Sequence, residues 1–168
     1  MGYKPVMQFH VGSDHGGVTL LDALIAEFEE WGGESGHAVL SRTGPAVATE
    51  RVDYPSIAVE VCQRVLRDRA RGAADVYGLL VCGTGQGVAM TANKIPGIRA
   101  GVVADGFSAQ MARAHNDANV LCLGERVLGA GLAKLLLREF IEASFEGGRH
   151  ANRVELIESL TRQHGEGS

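Results

Sequence analysis

The chain has 168 residues, a formal net charge of −4 and 45% hydrophobic residues. That length suits a single domain with one sizeable core, which we expect to span residues 1–168. The mildly acidic charge and the lack of a basic stripe argue against a nucleic-acid partner. No apolar run approaches the length of a membrane span, and the amino terminus does not resemble a signal peptide, so we expect no membrane partner.

The hydrophobic pattern predicts strands that alternate with helices. Short apolar runs predict strands at residues 7–12, 36–40, 76–82, 98–103 and 120–123. Helical spacing predicts a first helix from residue 20 that ends at Gly32-Gly33. A second helix is expected to begin at Pro55, and a short third one to follow a turn at 83–87. Three more are expected over residues 107–114, 130–143 and 154–163. We expect residues 41–52 to form a loop and residues 164–168 to be frayed.

This alternation favours a doubly wound, Rossmann-like α/β fold. The expected architecture is a three-layer sandwich with a five-stranded parallel sheet and an extra C-terminal helix. In such sheets ligands bind beyond the carboxyl ends of the strands. Two of those ends carry polar, glycine-rich loops, at residues 13–17 and 82–87.

Three cysteines, Cys62, Cys82 and Cys122, are odd in number and lack the CxxC spacing of zinc and redox sites. Cys62 falls in a helix-like run and Cys122 in a strand-like run, so we expect both in the core. Reduced thiols in a cytoplasmic protein are the simplest interpretation of this usage.

The stretch 81–94, VCGTGQGVAMTANK, is the most informative in the chain. Gly83, Gly85 and Gly87 alternate directly after an apolar run and before a helix-compatible segment. Glycines at this density let the backbone turn sharply and aim several N–H groups at one anion. Cys82 stands at the mouth of that turn, where it is either a reactive thiol or a small buried hydrophobe.

Two other glycine-rich motifs fit this stretch less well. A P-loop ends in Gly-Lys-Ser/Thr, whereas Gly87 is followed by Val88 and Ala89. The dinucleotide fingerprint needs a third glycine at Val88, although Asp105 stands about twenty residues on, where that fold places its ribose-binding acid. A dinucleotide-dependent oxidoreductase is therefore an alternative hypothesis, and Pro96, which cuts the following helix short, counts against it.

Further polar side chains stand at the predicted ends of strands and helices. Taken singly, each fits a structural role, with Asp14 as a helix cap and His115 as the partner of a helix dipole. Arg149 and Arg153 fit a solvated i,i+4 face. The set comprises Asp14, His15, Asp53, Tyr54, Thr84, His115, Asn116, Asp117, Arg126, Arg149, His150 and Arg153.

Taken together, these residues lie in five motifs that resemble the type B ribose-5-phosphate isomerases, within the wider sugar-phosphate isomerase family that includes galactose-6-phosphate isomerase. The motifs are SDHGG, ERVDYP, VCGTGQGVAMTANKIPGIRA, HNDANVLCLGERV and FEGGRHANRV. They run from about Phe9 to Ile157, and CGTG-x-G and HND-x-N are the most diagnostic. The resemblance implies aldose–ketose isomerisation of a phosphorylated sugar, with ribose 5-phosphate as the leading candidate, without a metal or an organic cofactor.

The resemblance also implies a role for each site residue. Cys82 is the general base that moves a proton between C1 and C2, and His115 opens the furanose ring. Thr84, with the turn that follows it, resembles the anion hole for the enediolate. The substrate-binding residues are the hydroxyl ligands Asp14 and Asn116, the pocket wall Tyr54, the phosphate ligands His15, Arg126, Arg149 and Arg153, and the turn glycines Gly83, Gly85 and Gly87.

These residue types suit the chemistry. A free thiol is mostly protonated near neutral pH, so Cys82 needs nearby N–H groups in order to act as a base. Preorganised N–H donors also stabilise the negative charge of an enediolate, by several kcal/mol over a whole site. Arginine fits the oxygens of a phosphate better than lysine does, and phosphate binding positions the reacting carbons.

Other functions on the same scaffold stay open. The segment 41–50, SRTGPAVATE, is longer and less familiar than in well-known members of the family. Because it leads into Asp53-Tyr54, it is placed to change the sugar accepted to a tetrose or hexose phosphate. A non-catalytic sugar-phosphate or nucleotide-binding module is a further hypothesis, and the presence of both Cys82 and His115 counts against it.

The predicted topology separates the two catalytic candidates. Cys82 leaves the carboxyl end of its strand, whereas His115 precedes the amino end of the fifth strand. In a parallel sheet these ends lie at opposite edges, roughly 15 Å or more apart for a five-residue strand. If both act on one sugar, they come from two chains. We therefore expect a homodimer with shared active sites, and leave a tetramer open.

Overall fold

The structure is an open parallel sheet with helices on both faces. The computed structural model describes residues 6–165, apart from the side chains of residues 32–34 and 162–165. The elements in chain order are β1 (Gln8–Ser13), α1 (Val18–Ser35), β2 (Ala38–Thr43), α2 (Tyr54–Ala70), β3 (Val76–Cys82), α3 (Gln86–Ala92), β4 (Ala100–Val102), α4 (Gly106–Ala114), β5 (Val120–Gly124), α5 (Ala130–Glu142) and α6 (Arg149–Gly165).

The five strands stand in the order β2-β1-β3-β5-β4 and all pair in parallel. The predicted doubly wound α/β fold with an additional C-terminal helix is confirmed. Among the helices within residues 6–165, none is long and apolar enough to cross a membrane.

The central strand β3 shows why this sequence forms such a sheet. All seven of its residues are buried, as expected for a parallel strand covered on both faces. Leu79 and Val81 enter a core shared with α1, α4 and α5. Leu80 and Cys82, one residue out of phase, enter a second core shared with α2 and α3. The period-2 alternation of a strand thus divides one apolar run between two hydrophobic layers.

The cysteines other than Cys82 are core residues, as predicted. Cys62 and Cys122 are fully buried and free. Burial raises the pKa of the Cys62 thiol to about 12. The pKa of Cys122 is also raised, first by burial and then by the neighbouring cysteines Cys62 and Cys82. Both thiols therefore stay protonated and unreactive at neutral pH.

The crevice of the fold lies between the loops that follow β1 and β3. These strands are neighbours, but the chain leaves β1 for α1 on one face and β3 for α3 on the other. Such a switch point leaves room for a ligand at the carboxyl edge of the sheet. The two strand ends are closely packed, since a Cβ on Gly17 would lie 2.7 Å from the Val81 carbonyl oxygen.

The first helix is longer than predicted. It passes through Gly32-Gly33 and ends at Ser35, although glycine costs about 1 kcal/mol in a helix interior. Trp31 packs against the core and keeps this end of the helix docked. The stop is Gly36, whose φ of 76° is the left-handed conformation that closes helices.

The last helix is also longer than predicted and begins five residues earlier, at Arg149 rather than Val154. Gly147 and Gly148 both have positive φ, of 64° and 55°, and turn the chain directly into the first helical turn. The helix reaches Gly165, two residues into the segment predicted to be frayed. Residues 166–168 lie outside the described residues.

A partly buried ion-pair network fixes α6 and the loop before β5. Arg99 contacts Asp117 at 2.8 Å and Glu158 of α6 at 3.2 Å. Asp117 also binds Arg113 at 2.7 Å, and its φ of 45° is the one positive value among the described non-glycine residues. Asp117, one of the polar residues that the sequence analysis set apart, therefore anchors the loop that carries His115.

Asn119 and Asn93 each accept a hydrogen bond from one backbone N–H and donate one to a backbone carbonyl, but Asn119 is buried and Asn93 is exposed. The Asn119 side chain accepts from the Arg99 N–H and donates to the Gly97 carbonyl, and it is 2% exposed. The exposed Asn93 side chain both accepts from the N–H and donates to the carbonyl of Ala100, at the edge strand β4.

This pair gives a matched test of stability. Asn119→Ala is expected to lower the free energy of unfolding by about 2–4 kcal/mol, because it leaves the Arg99 N–H and the Gly97 carbonyl unpaired at a partly buried position. Asn93→Ala is expected to cost about 1 kcal/mol or less, because water replaces its bonds. Urea unfolding at one protein concentration measures both, and equal losses would contradict the role of burial.

Candidate active site

Cys82 is the last residue of β3 and is only 4% exposed. Its Sγ accepts a hydrogen bond from the Gly85 N–H at 3.1 Å. That approach depends on Gly85, whose φ of 77° is a left-handed conformation at the N-cap of α3. A backbone donor aimed at sulfur stabilises a thiolate over a thiol. The glycine-rich turn therefore presents an N–H group to Cys82.

The rest of the turn forms the beginning of α3. Thr84 is exposed, and its Oγ1 accepts from the Gln86 N–H at 3.3 Å. The first-turn N–H groups of a helix have no i−4 partner, so they are available to an anion. A Cβ on Gly87 would lie 2.6 Å from the ring of Tyr54. The Tyr54 ring therefore lies directly against the turn, as a wall beside it.

The loop after β1 borders the same turn. A Cβ on Gly16 would lie 3.5 Å from the Gly83 nitrogen, and the Asp14 carboxylate accepts from the Gly16 N–H at 2.9 Å. The Nδ1 of His15 lies 3.2 Å from the Val52 carbonyl. Because a carbonyl only accepts, Nδ1 carries the proton, and the segment before α2 fixes the His15 ring.

Arg126 reaches this turn from the end of β5. Its backbone N–H donates to the Gly83 carbonyl at 2.9 Å, and its Nε lies 3.4 Å from where a Gly83 Cβ would stand. We call the residues at this side of the sheet the carboxyl-edge group. It consists of Asp14, His15, Tyr54, Cys82, Gly83, Thr84, Gly85, Gly87 and Arg126.

The remaining predicted residues lie elsewhere, around His115 at the C-cap of α4. The His115 ring stacks on the His150 ring at 4.0 Å between centroids and 9° between planes. A Glu146 carboxylate oxygen lies 3.6 Å from His115 Nε2 and 3.8 Å from His150 Nε2. Asn116 follows His115 and is exposed.

The start of α6 supplies the basic side chains of this second group. Arg149 donates from Nε to His150 Nε2 at 3.3 Å, and Arg153 lies one turn further along the same face. We call these residues the amino-edge group. It consists of His115, Asn116, Glu146, Arg149, His150 and Arg153.

His150 is a candidate functional residue to which the sequence assigned no role. Burial lowers the pKa of its imidazole, and the nearby His115 and Arg149 lower it further. A neutral ring is therefore favoured, which agrees with its accepting a hydrogen bond from Arg149. Its only sequence signal is its position beside Arg149 in the GGRH motif.

One chain does not bring the two groups together. Gly78 pairs with Val120 near the amino end of the sheet, and Cys82 pairs with Gly124 at the carboxyl end. Four residue steps separate these pairs, about 13 Å, and His115 precedes Val120. The prediction that Cys82 and His115 occupy opposite edges of the sheet is confirmed.

Comparisons with known proteins place the chain in a family. Residues 9–157 match the family model described as ribose/galactose isomerase. Ribose-5-phosphate isomerase B of Escherichia coli is 40% identical over 152 residues, which cover 90% of this chain and 95% of that protein. D-erythrulose-4-phosphate isomerase 2 of Mycolicibacterium smegmatis is 38% identical over 136 residues, covering 81% and 84%.

A solved structure of ribose-5-phosphate isomerase B from Clostridium thermocellum superimposes with a TM-score of 0.81. It is 39% identical, and the match covers 94% of this chain and 99% of that one. The chain therefore belongs to the ribose/galactose isomerase family. The predicted activity is confirmed at the level of a sugar-phosphate aldose–ketose isomerase.

Proposed function

We propose that the protein interconverts ribose 5-phosphate and ribulose 5-phosphate at sites that two chains complete. The observation that carries the proposal is the division of the site residues between two edges of the sheet. The carboxyl-edge group holds a thiol and a glycine-rich turn. The amino-edge group holds the imidazole of His115 and the guanidinium groups of Arg149 and Arg153. The proposed base, Cys82, and the proposed ring-opening residue, His115, therefore lie in different groups.

The proposed mechanism uses the two groups in succession. His115 from one chain moves the proton of the O1 hydroxyl to the ring oxygen and so opens the furanose. The Cys82 thiolate of the other chain then takes the C2 proton, and the electron pair of that bond forms the enediolate. The Gly-rich turn stabilises the charge on O1. Return of the proton to C1, with transfer of one proton from O2 to O1, completes the isomerisation.

The choice of a pentose rests on ribose-5-phosphate isomerase B of Escherichia coli, which is 40% identical and matches over 95% of its own length. A tetrose phosphate is the second candidate, because a relative named for D-erythrulose 4-phosphate is nearly as similar. The segment between β2 and α2 also fixes His15 through Val52, so it is placed to adjust the pocket to the sugar.

An assay of isomerisation across tetrose, pentose and hexose phosphates tests this choice. We expect the highest kcat/KM with ribose 5-phosphate. A higher value with a tetrose phosphate would replace the pentose proposal with the second candidate. Thermal unfolding in the presence of NADH tests the oxidoreductase alternative, because only a ligand that binds the folded chain raises its Tm.

The arginines of α6 give a separate test of phosphate binding. Replacement of Arg149 or Arg153 by Met is expected to weaken sugar-phosphate binding by about 1.5–3 kcal/mol, the usual contribution of hydrogen bonds to charged groups. The inhibition constant of inorganic phosphate should rise about 10- to 100-fold in parallel.

Arg64→Met is the matched control, because Arg64 pairs with Glu60 on the surface of α2, apart from either group. It should leave phosphate inhibition unchanged. An unchanged phosphate inhibition constant in both the Arg149 and the Arg153 variant would mean that these side chains are a solvated helix face.

We also propose a reducing, cytoplasmic setting for the protein. Cys62, Cys82 and Cys122 are free and buried. A base at Cys82 needs its sulfur reduced, since a disulfide or an oxidised sulfur cannot take the C2 proton. Loss of activity on mild oxidation, with recovery on reduction, would support this setting.

A further inference from the structure

Three side chains of the amino-edge group have the composition of a metal site. His115, Glu146 and His150 each offer one donor atom, and these atoms all lie within 4.8 Å of one another. The Glu146 oxygen is 3.6 Å from His115 Nε2 and 3.8 Å from His150 Nε2. Two imidazoles and one carboxylate form a common ligand set for Zn²⁺ when a fourth position is open to solvent. The isomerisation gives Glu146 no role.

We propose that His115, Glu146 and His150 bind a divalent cation such as Zn²⁺, and that the bound ion inhibits the isomerase by occupying His115. The binding part follows from these three side chains alone. The inhibition part rests on the proposed function, because it requires that His115 takes part in ring opening.

The two donor distances that involve Glu146 are close to those of a coordinated ion. Ligands about 2.0–2.1 Å from a tetrahedral Zn²⁺ lie about 3.4 Å from one another, so both Glu146 contacts need to shorten by only a few tenths of an ångström. The stacked rings are nearly parallel, and their lone pairs therefore do not converge. His115 is the ring that has to turn, and its side chain is one-third exposed.

Two neighbouring positive charges oppose the binding of any cation, so the ion has to form strong bonds to its ligands. Arg149 donates to His150 Nε2 at 3.3 Å and has to be displaced by the ion, and Arg153 adds a second positive charge one helical turn away. Mg²⁺ and Ca²⁺ prefer several oxygen ligands, and among these three side chains only Glu146 supplies oxygen. Zn²⁺, Co²⁺, Ni²⁺ and Cu²⁺ form strong bonds to imidazole. The site should therefore select these ions and reject Mg²⁺.

Equilibrium dialysis of the untagged protein against Zn²⁺ tests binding without reference to activity. We expect one Zn²⁺ per chain in the parent, and at least tenfold weaker binding in Glu146→Gln and His150→Gln. Glu142→Gln is the matched control, since Glu142 is an exposed carboxylate four residues before Glu146, at the end of α5, and this variant should bind Zn²⁺ as the parent does. Cys82→Ala should also retain the ion, which excludes the thiol as its ligand.

The visible spectrum of the Co²⁺ form gives a second readout. Tetrahedral Co²⁺ with nitrogen and oxygen ligands absorbs near the middle of the visible range, and we expect this band in the parent and its loss in Glu146→Gln. Zn²⁺ affinity in Glu146→Gln equal to that of the parent would overturn the site. Because Glu146 is exposed, this variant keeps the test valid even if His150→Gln fails to fold.

Inhibition is measured separately. Zn²⁺ should inhibit isomerisation in the parent, and a chelator should relieve this inhibition. In Glu146→Gln, with activity expressed as a fraction of that variant's own metal-free rate, half-inhibition should require at least tenfold more Zn²⁺. Tight Zn²⁺ binding at this site without inhibition would overturn the inhibitory role and count against His115 in ring opening. A parent without isomerase activity on any sugar phosphate would remove the proposed function, while dialysis still decides the metal site.

Discussion

Cys82→Ala is expected to abolish exchange of the substrate C2 proton with solvent while phosphate binding stays nearly intact. The thiol lies at the end of β3, with the Gly85 N–H donating to its sulfur at 3.1 Å. Removing the sulfur removes the proposed base, and a positioned base contributes about 10²–10⁴-fold to such a step. The phosphate ligands are other side chains, so the inhibition constant of inorganic phosphate should change little.

Cys62→Ala is the matched control for this result. Cys62 is a buried thiol in the same hydrophobic layer as Cys82, but it lies in α2. The control should lose some stability and keep its turnover, because a buried cysteine acts as a small hydrophobic residue. Proton exchange is followed by the incorporation of deuterium from ²H₂O at C2. If Cys82→Ala still turned over within tenfold of the parent, Cys82 would be a core residue and the proposed mechanism would be wrong.

The central strand of the sheet could be predicted from the sequence, because a run of apolar residues marks where a buried strand begins and ends. Residues 76–82 form an uninterrupted apolar run, and β3 covers the same residues. The crevice could also be predicted, since in a parallel sheet the loops after β1 and β3 meet at one edge. Helix ends were predicted less well. Gly32-Gly33 is a common stop signal, but the docked Trp31 carries α1 on to the left-handed Gly36.

The sequence proposed the candidate site residues, but it did not predict all of the contacts that the structure shows among them. The stack of His115 on His150 joins the end of α4 to the start of α6. No periodicity in the sequence links two positions 35 residues apart, so this contact depends on tertiary packing alone. Asp117 shows the opposite case, a motif residue that has a structural contact. It lies in the diagnostic HND motif, but it anchors its loop through Arg99 and Arg113.

The division of the site between two chains predicts that two inactive variants restore each other. Cys82→Ala and His115→Ala are each expected to be inactive alone, because every site then lacks either the base or the ring-opening group. About 13 Å of sheet separates the two residues within one chain. A two-fold axis that brings the carboxyl-edge group of one chain to the amino-edge group of another creates two equivalent sites.

Mixing the two variants after unfolding and refolding them together allows chains to exchange. A mixed dimer then holds one site with both defects and one intact site. With random pairing about half of the dimers are mixed, so about a quarter of all sites should recover activity. Refolding each variant alone is the control and should give no recovery.

The double variant, with both changes in one chain, tests whether each active site takes Cys82 from one chain and His115 from the other. Mixed with the parent, it should form dimers in which each site has one defect, so a mixed dimer should be inactive. Single variants mixed with one another should instead gain activity. A lack of recovery in the single-variant mixture, with exchange demonstrated by mass spectrometry, would mean that Cys82 and His115 do not act together on one sugar and that the shared site does not exist.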